Sequence, residues 1–384
     1  MHFEFATAAR IVFGPGALKQ AGPLVADLGR RALLVTGRSP HRAERLRAQL
    51  EAVAVRTLPY ALNGEPTTAE VERGVALARQ EGCDLVISFG GGSAIDAGKA
   101  IAALLTNDGG LLDYLEVIGQ GKPLSKPGVP FVAIPTTAGT GTEATRNAVL
   151  SSPSHEVKAS LRSPFLLARL ALVDPELTLG LPAPLTASTG MDALTQLIEP
   201  YTCCRPNPWT DALCVEGLHR AARSLRRAFE SGQDLAARED MCVASLFSGV
   251  ALANAGLGAA HGFAAPIGGG FPAPHGAVCA ALLPEVMRAN IRALRERLPA
   301  SDVLSRYQRI AIILTGNPAA TAEDGVQWVT ELCATLQIPP LRAYGIRPED
   351  FPRLVEKAAH ASSMKANPIP LWAEELKAIL EGAW

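Results

Sequence analysis

Residues 84–105 read DLVISFGGGSAIDAGKAIAALL, an apolar run that ends on three glycines and then takes on a helical spacing. A short apolar run closed by glycine is what a buried strand looks like in one dimension, and the stretch after it reads as the following helix. The spacing of Ser93 and Asp96 has the form of a capping box with Asp in the acidic place, which would start the helix at Ser93. Glycines between a strand and a helix let a phosphate approach the backbone, and the helix N-terminus offers free N–H groups and partial positive charge. Gly91, Gly92, Ser93 and Asp96 are therefore candidate contacts for a dinucleotide. Such turns also serve packing alone, and the ordinary dinucleotide fingerprint is broken because Ile95 stands where its third glycine would be.

The same alternation extends outward in both directions. ALLVTG at 32–37, VRTLPY and FVAIPTT at 131–137 read as strands, while HRAERLRAQLEA and TAEVERGVALARQ read as helices. Strand and helix in turn predict a parallel sheet with crossover helices. After LGLPAPLTAS the strand pattern stops and long helical segments follow, such as DALCVEGLHRAARSLRRAF and LLPEVMRANIRALRERL. A chain of 384 residues exceeds the length at which one core usually keeps growing. The expectation is an α/β nucleotide-binding domain over 1–180, Rossmann-like, and an all-helical domain over 181–384. A second polar loop, PTTAGTGTEAT at 135–145, sets Thr136, Thr137, Thr140 and Thr142 around two glycines after a strand. Hydroxyls in that density suit phosphate, ribose or carboxamide, and two such loops at strand ends favour a nucleotide crevice.

Two histidines, His261 and His275, bracket the stretch HGFAAPIGGGFPAPH, downstream of GMDALTQLIEP with its Asp192 and Gln196. Asp192 and Gln196 are four apart and share one helix face. One straight helix would hold the two imidazoles about 20 Å apart. Pro266, Gly268, Gly269, Gly270, Pro272 and Pro274 are expected to break that helix and bring the second imidazole back beside the first. The set reads as a divalent metal site, its plainer alternative being a polar cluster at a helix interface. Formal net charge is −1, from 36 basic and 37 acidic residues, which implies neither nucleic acid nor an anionic membrane as a partner. Seven cysteines without a CxxC read as reduced, buried residues of a cytoplasmic protein, and adjacent Cys203 and Cys204 as packing residues. The opening MHFEFATAARIVFG lacks the features of a signal peptide, and no apolar stretch reaches the roughly 18 residues that span a bilayer.

GGGSAIDAGKAIA, IPTTAGTGTEAT, ALVDPELTLGLP, TGMDALT, GLGAAHG, PHG and SSMKANP, taken in order, resemble the iron-containing (group III) alcohol dehydrogenase family over nearly the whole chain. The resemblance implies that architecture, a homodimer, and NAD- or NADP-linked oxidoreduction of a small alcohol or aldehyde. It places metal ligands on Asp192, Gln196, His261 and His275, with Asp192, His261 and His275 as the catalytic set, and Fe2+ or Zn2+ as the ion. Most members carry histidine where this chain has Gln196, and many carry another at Ala265, which is thought to help relay a proton. Further cofactor contacts are implied at Thr145, Lys158 and Leu177, although a lone lysine after a turn is ordinarily a surface charge. Many NAD-preferring members have aspartate where Gly37 stands. Gly37 removes a carboxylate that would repel a 2′-phosphate, while Arg38 and Ser39 offer donors, so NADP(H) is expected to be accepted. Arg38 reads equally well as a solvated loop cation.

A metal in such a site would act as a Lewis acid on the substrate oxygen while the nicotinamide carries the hydride. Two other readings stay open: a maleylacetate reductase-like enzyme working without metal, and a nucleotide-binding sensor or assembly protein whose catalysis has lapsed. Asn147, Phe263, Phe271 and Met364 are candidates to line the substrate site, and His360 to border it. His2, His41, His155 and His219 have no supporting neighbours.

Overall fold

The apolar runs become strands: β1 (Ile11–Phe13), β2 (Arg31–Thr36), β3 (Arg56–Ala61), β4 (Leu85–Gly90), β5 (Phe131–Pro135), β6 (Asn147–Ser152), β7 (Val157–Arg162) and β8 (Leu170–Val173). The structure is a computed structural model that describes residues 2–155 and 157–384. It falls into two units, Ala6–Thr137 with Gly141–Thr178, and Met1–Phe5 with Ala138–Thr140 and Leu179–Trp384.

In the first unit six strands form one parallel sheet in the order β1-β8-β5-β4-β2-β3, and β6 and β7 pair as a separate antiparallel hairpin. Side chains along a strand alternate between faces. Leu33 and Val35 of β2 thus pack with Val71, Ala97 and Ile101 on one side. Ala32 and Leu34 pack with Val25, Leu46 and Leu50 on the other. Helices Thr68–Gln80 and Gly92–Leu104 cover the first face and Glu44–Glu51 contributes to the second. A parallel sheet needs both faces covered, which explains strands that are apolar throughout rather than alternating.

The capping box expected at Ser93 does not form. The helix starts at Gly92, with Gly91 as its extended cap and no side-chain cap bond. Ala94 and Ile95 both donate their amides to the Gly91 carbonyl, at 3.1 and 3.2 Å, which already places Ser93 inside the first turn. A true capping box stands instead at Thr67, whose hydroxyl takes the Glu70 amide while Glu70 takes the Thr67 amide.

The second unit is helical, with Ala183–Thr202, Pro208–Glu230, Leu235–Asn254, Ala259–Gly270, His275–Arg297, Asp302–Thr315, Ala322–Thr335, Phe351–His360 and Ala373–Ala383. The sequence misplaces the break between the two histidines. The Ala259 helix runs through Pro266, Gly268 and Gly269 to Gly270, and the interruption is confined to residues 271–274. A proline removes one helical hydrogen bond, but Phe263 and Ile267, both fully buried on its two sides, hold the helix on course. Among the described residues no single helix is long and apolar enough to cross a membrane.

Candidate functional site

In the sheet unit the chain leaves β2 for β3 on one side and β4 for β5 on the other, so the carboxyl ends of β2 and β4 form a topological switch point. Open α/β sheets bind ligands at such points. Thr36 pairs with Phe89 and Gly90 with Pro135, and the Thr136 amide donates to the Gly90 carbonyl at 2.9 Å. These registers bring Gly37–Ser39, Gly90–Gly92 and Thr136–Thr137 to one edge. A Cβ on Gly91 would lie 3.2 Å from Thr137 Oγ1, so the two loops approach closely there and a side chain would crowd the hydroxyl. Ser93 and Asp96 lie in the first turns of the helix that begins there. A Cβ on Gly37 would meet nothing within 4 Å. Arg38 and Ser39 are exposed, and Arg38 Nε donates to the Asn63 carbonyl.

Other expected cofactor residues are engaged within the protein. Thr145 is buried and its hydroxyl takes a hydrogen bond from Lys99 Nζ at 2.8 Å. Lys158 Nζ meets Glu65 at 2.7 Å, and the Leu177 carbonyl accepts from Arg42 at 2.7 Å. Thr140 groups with the helical unit rather than with Thr136 and Thr137. Sequence reasoning missed Lys99 and Glu143, both buried. Burial lowers Lys99 to about 8 against the raising pull of Asp96 and Glu143. It lifts Glu143 to about 7.

In the helical unit, Ala183–Thr202 buries Asp192, Gln196 and Glu199 along with three threonines, Thr186, Thr195 and Thr202. A spacing of four and seven puts Asp192, Gln196 and Glu199 on one face. Opposite them stand His261, in the first turn of Ala259–Gly270, and His275, the first residue of the next helix. The ring centroids of the two histidines are 5.4 Å apart. His261 Nε2 lies 3.5 Å and His275 Nε2 3.8 Å from the same oxygen, Asp192 Oδ1. One turn after His275, Cys279 Sγ is 3.8 Å from His275 Nε2. The donor atoms of Asp192, His261, His275 and Cys279 all lie within 4.8 Å of one another.

Asp192 Oδ1 and His261 Nε2 are both buried without a hydrogen-bond partner. Buried polar atoms are rarely left so, and two lone-pair atoms facing one point fit a cation between them. The rest of the cluster is tied down. Glu199 Oε2 holds His261 Nδ1 at 2.6 Å, and Glu199 Oε1 takes the Ala260 amide at 2.8 Å. Asn367, from SSMKANP, accepts the Ala259 amide at 3.1 Å, so two acidic or amide oxygens satisfy the start of the helix that carries His261. Gln196 Nε2 donates to Asp192 Oδ2 at 3.1 Å, and Ser248 Oγ reaches Gln196 Oε1 at 3.2 Å.

Burial disfavours charge on each member of the cluster, but the mutual charges prevail. Asp192 is raised by burial yet held below the usual carboxylate range by the neighbouring imidazoles of His261 and His275. Burial pulls both imidazoles down, while Cys279, with Glu199 and Asp192 at His261 and Asp192 at His275, holds them above their ordinary value. Cys279 is pushed up by burial and brought below the usual thiol range by the two imidazoles. With only its own charges the chain already sets cations against anions here.

The remaining sequence candidates fall elsewhere. Phe263 is fully buried in the core with Ile267 and Val278 rather than lining a site. Met364 packs at Gly262, where a Cβ would meet its Cε at 2.8 Å, and Phe271 is partly buried. Asn147 contributes its carbonyl to Lys99. His360, His2, His41, His155 and His219 are exposed, and Ala265 is partly exposed. All seven cysteines are free thiols. Sequence reasoning missed Glu199 and Cys279; their signals were a seven-residue spacing from Asp192 and a four-residue spacing from His275.

Residues 8–175 match the family model described as "Iron-containing alcohol dehydrogenase", and residues 186–384 match "Fe-containing alcohol dehydrogenase family, C-terminal". The 1,3-propanediol dehydrogenase of Klebsiella pneumoniae is 36% identical over 387 residues, covering 97% of this chain and 96% of that protein. The NAD-dependent methanol dehydrogenase of Bacillus methanolicus is 34% identical over 386 residues, covering 97% of each. The crystal structure of a 1,3-propanediol oxidoreductase matches with a TM-score of 0.93 at 34% identity, covering 100% of both chains.

Proposed function

Because the chain belongs to the iron-containing alcohol dehydrogenase family, we propose that it is a metal-dependent alcohol dehydrogenase or aldehyde reductase. Its reaction is hydride transfer between a nicotinamide dinucleotide and a small alcohol or carbonyl compound. The observation that carries the reading is the buried convergence of Asp192 Oδ1, His261 Nε2 and His275 Nε2, two of them without partners. A divalent ion such as Fe2+ or Zn2+, held by these three side chains, supplies Lewis acidity toward the substrate oxygen when bound, and the dinucleotide supplies the hydride chemistry.

The chain's own residues provide the order. Glu199 fixes Nδ1 of His261 as the protonated nitrogen, which leaves Nε2 free to ligate. Gln196 occupies Asp192 Oδ2 and so keeps Oδ1 for the ion. His275 keeps a side chain 37% exposed, while Asp192 and His261 are nearly inaccessible, so approach to the cluster is from the His275 side. In the sheet unit, Gly91, Gly92, Ser93 and Asp96 with Thr136 and Thr137 are proposed to hold the pyrophosphate and nicotinamide ends, joined by Thr145, Lys158 and Leu177. Gly37, Arg38 and Ser39 are assigned to the adenosine ribose. The open space at Gly37 and the exposed guanidinium beside it support acceptance of NADP(H) as well as NAD(H).

The same reading assigns nucleotide binding to 1–180 and the metal to 181–384. It places the enzyme in the cytoplasm, where seven free thiols stay reduced. It also makes the enzyme a homodimer, with the open sheet edge at β1 as the candidate seam. The test is metal analysis of the purified protein together with NADPH- and NADH-linked reduction of an aldehyde panel. The expected result is about one divalent ion per chain and turnover lost on chelation and restored by Fe2+ or Zn2+. Full activity in chelated, ion-free protein overturns the proposal in favour of a metal-independent reductase. Dinucleotide binding with no turnover across the panel overturns it in favour of a sensor.

A further inference from the structure

We infer that Cys279, and not Gln196, is the fourth protein ligand of the bound ion, so that the centre has one carboxylate, two imidazoles and one thiolate. The inference rests on the proposed metal reading and adds the donor that sequence spacing did not reveal. Three observations point the same way.

The first is spacing. Donors about 2.0–2.3 Å from one ion at tetrahedral angles stand roughly 3.3–3.8 Å from each other. Three of the six separations are 3.5 Å from His261 Nε2 to Asp192 Oδ1, 3.8 Å from His275 Nε2 to the same oxygen and 3.8 Å from Cys279 Sγ to His275 Nε2, and all four donor atoms lie within 4.8 Å of one another. Cys279 follows His275 by one helical turn, so both side chains leave the helix on one side.

The second is the state of Gln196. Its amide nitrogen faces Asp192 Oδ2. Rotating the amide to present oxygen there would set two acceptors against each other, so the orientation is fixed by the carboxylate. The oxygen then points toward Ser248 Oγ, at 3.2 Å, a hydroxyl that also reaches the Ser245 carbonyl at 2.8 Å. Asp192 Oδ1 and His261 Nε2, by contrast, have no partner.

The third is the place of the sulfur. Asp192, His261 and Cys279 are 1%, 5% and 0% exposed, so the thiol stands among donors that water scarcely reaches. A thiolate also biases the centre toward zinc over harder ions, since sulfur is the softest donor a protein offers.

The test is spectroscopic and does not depend on turnover. Protein stripped of metal and loaded with Co2+ is expected to bind about one ion and to show a thiolate-to-cobalt charge-transfer band in the near ultraviolet. X-ray absorption on the zinc-loaded wild type is expected to require one sulfur at about 2.3 Å, a measurement that needs no variant to fold. Cys279→Ser is expected to lose the band and to weaken zinc binding at least about tenfold, and Gln196→Ala to keep the band. A wild-type centre that binds cobalt and zinc with only nitrogen and oxygen neighbours and no charge-transfer band overturns the assignment while leaving the metal reading intact. Failure of wild type to bind either ion overturns the metal reading beneath it.

Discussion

Glu199 makes the sharpest test of how the helical unit prepares its site, because both of its oxygens are committed and both commitments concern His261. Oε2 holds Nδ1 at 2.6 Å and Oε1 holds the Ala260 amide at 2.8 Å, on a residue 4% exposed. Glu199→Gln keeps the shape and offers one acceptor and one donor where two acceptors are needed. If the amide oxygen stays with the Ala260 N–H, the NH2 group faces Nδ1, which must then accept, and the ring proton moves to Nε2, the nitrogen meant for the metal. If the amide turns over, Nδ1–H is satisfied but two donors meet at the helix start. The first arrangement removes a ligand and the second leaves a buried donor unpaired, at a cost of about 1–3 kcal/mol. Partners that orient a metal-bound imidazole typically contribute 10–100-fold in affinity, which is about 1.4–2.7 kcal/mol. Competition for zinc against a chromophoric chelator is therefore expected to show weaker binding by that factor in Glu199→Gln. Melting of the stripped protein separates the two arrangements: loss of affinity alone indicates the tautomer change, and loss of stability indicates the unpaired donor. A variant that binds zinc within a factor of about two of wild type and melts at the same temperature would refute the reasoning.

Three further outcomes are expected. Gly37→Asp meets no steric obstacle, and its carboxylate would face a 2′-phosphate; at about 6 Å and an intermediate dielectric this costs about 1–3 kcal/mol, so kcat/KM for NADPH should fall roughly 10- to 100-fold relative to NADH. An unchanged ratio would show that the ribose binds elsewhere. His261→Ala should abolish turnover and zinc retention while leaving NADPH affinity, measured by fluorescence, close to wild type; equal loss of both would give the imidazole a different job. Glu143 is raised from 4.5 to about 7, so the folded chain binds its proton more tightly than the unfolded one, and the penalty of charging it in place grows as pH rises between those values. Denaturation across that interval should show Glu143 withdrawing up to about 3 kcal/mol of stability, and Glu143→Gln should remove that component of the slope; parallel profiles for the two proteins would contradict it.

Local periodicity made most of the fold readable. β2, β4 and β5 lie on runs picked out by their apolar character, and the Thr68–Gln80 helix lies on the TAEVERGVALARQ segment, because each pattern states which faces will be buried. The β6–β7 hairpin and the Phe351–His360 helix were not readable in the same way. The break before His275 is shorter than the run of prolines and glycines predicts, because those residues report only local preference. The burial of Phe263 and Ile267, which carries the helix past Pro266, is a property of the packed unit.

The candidate site divides along the same line. Asp192, His261 and His275 stood out because chemistry-bearing residues are conspicuous in apolar surroundings. Thr145 stands out for the same reason, and only the fold shows that its hydroxyl also takes the ammonium of Lys99, a residue 46 positions away. Glu199 meets His261 across 62 positions, and nothing near either residue announces the pairing. The sharpest case is Gln196 against Cys279. On the sequence, Gln196 stands at a ligand position and Cys279 is one of seven unremarkable thiols. In the fold the amide is consumed by Asp192, and the sulfur faces the imidazoles. A position shows which backbone site a residue occupies. Which of two neighbouring side chains has an unused lone pair depends on every group around it, so the ligand set can only be chosen after the hydrogen bonds have been counted.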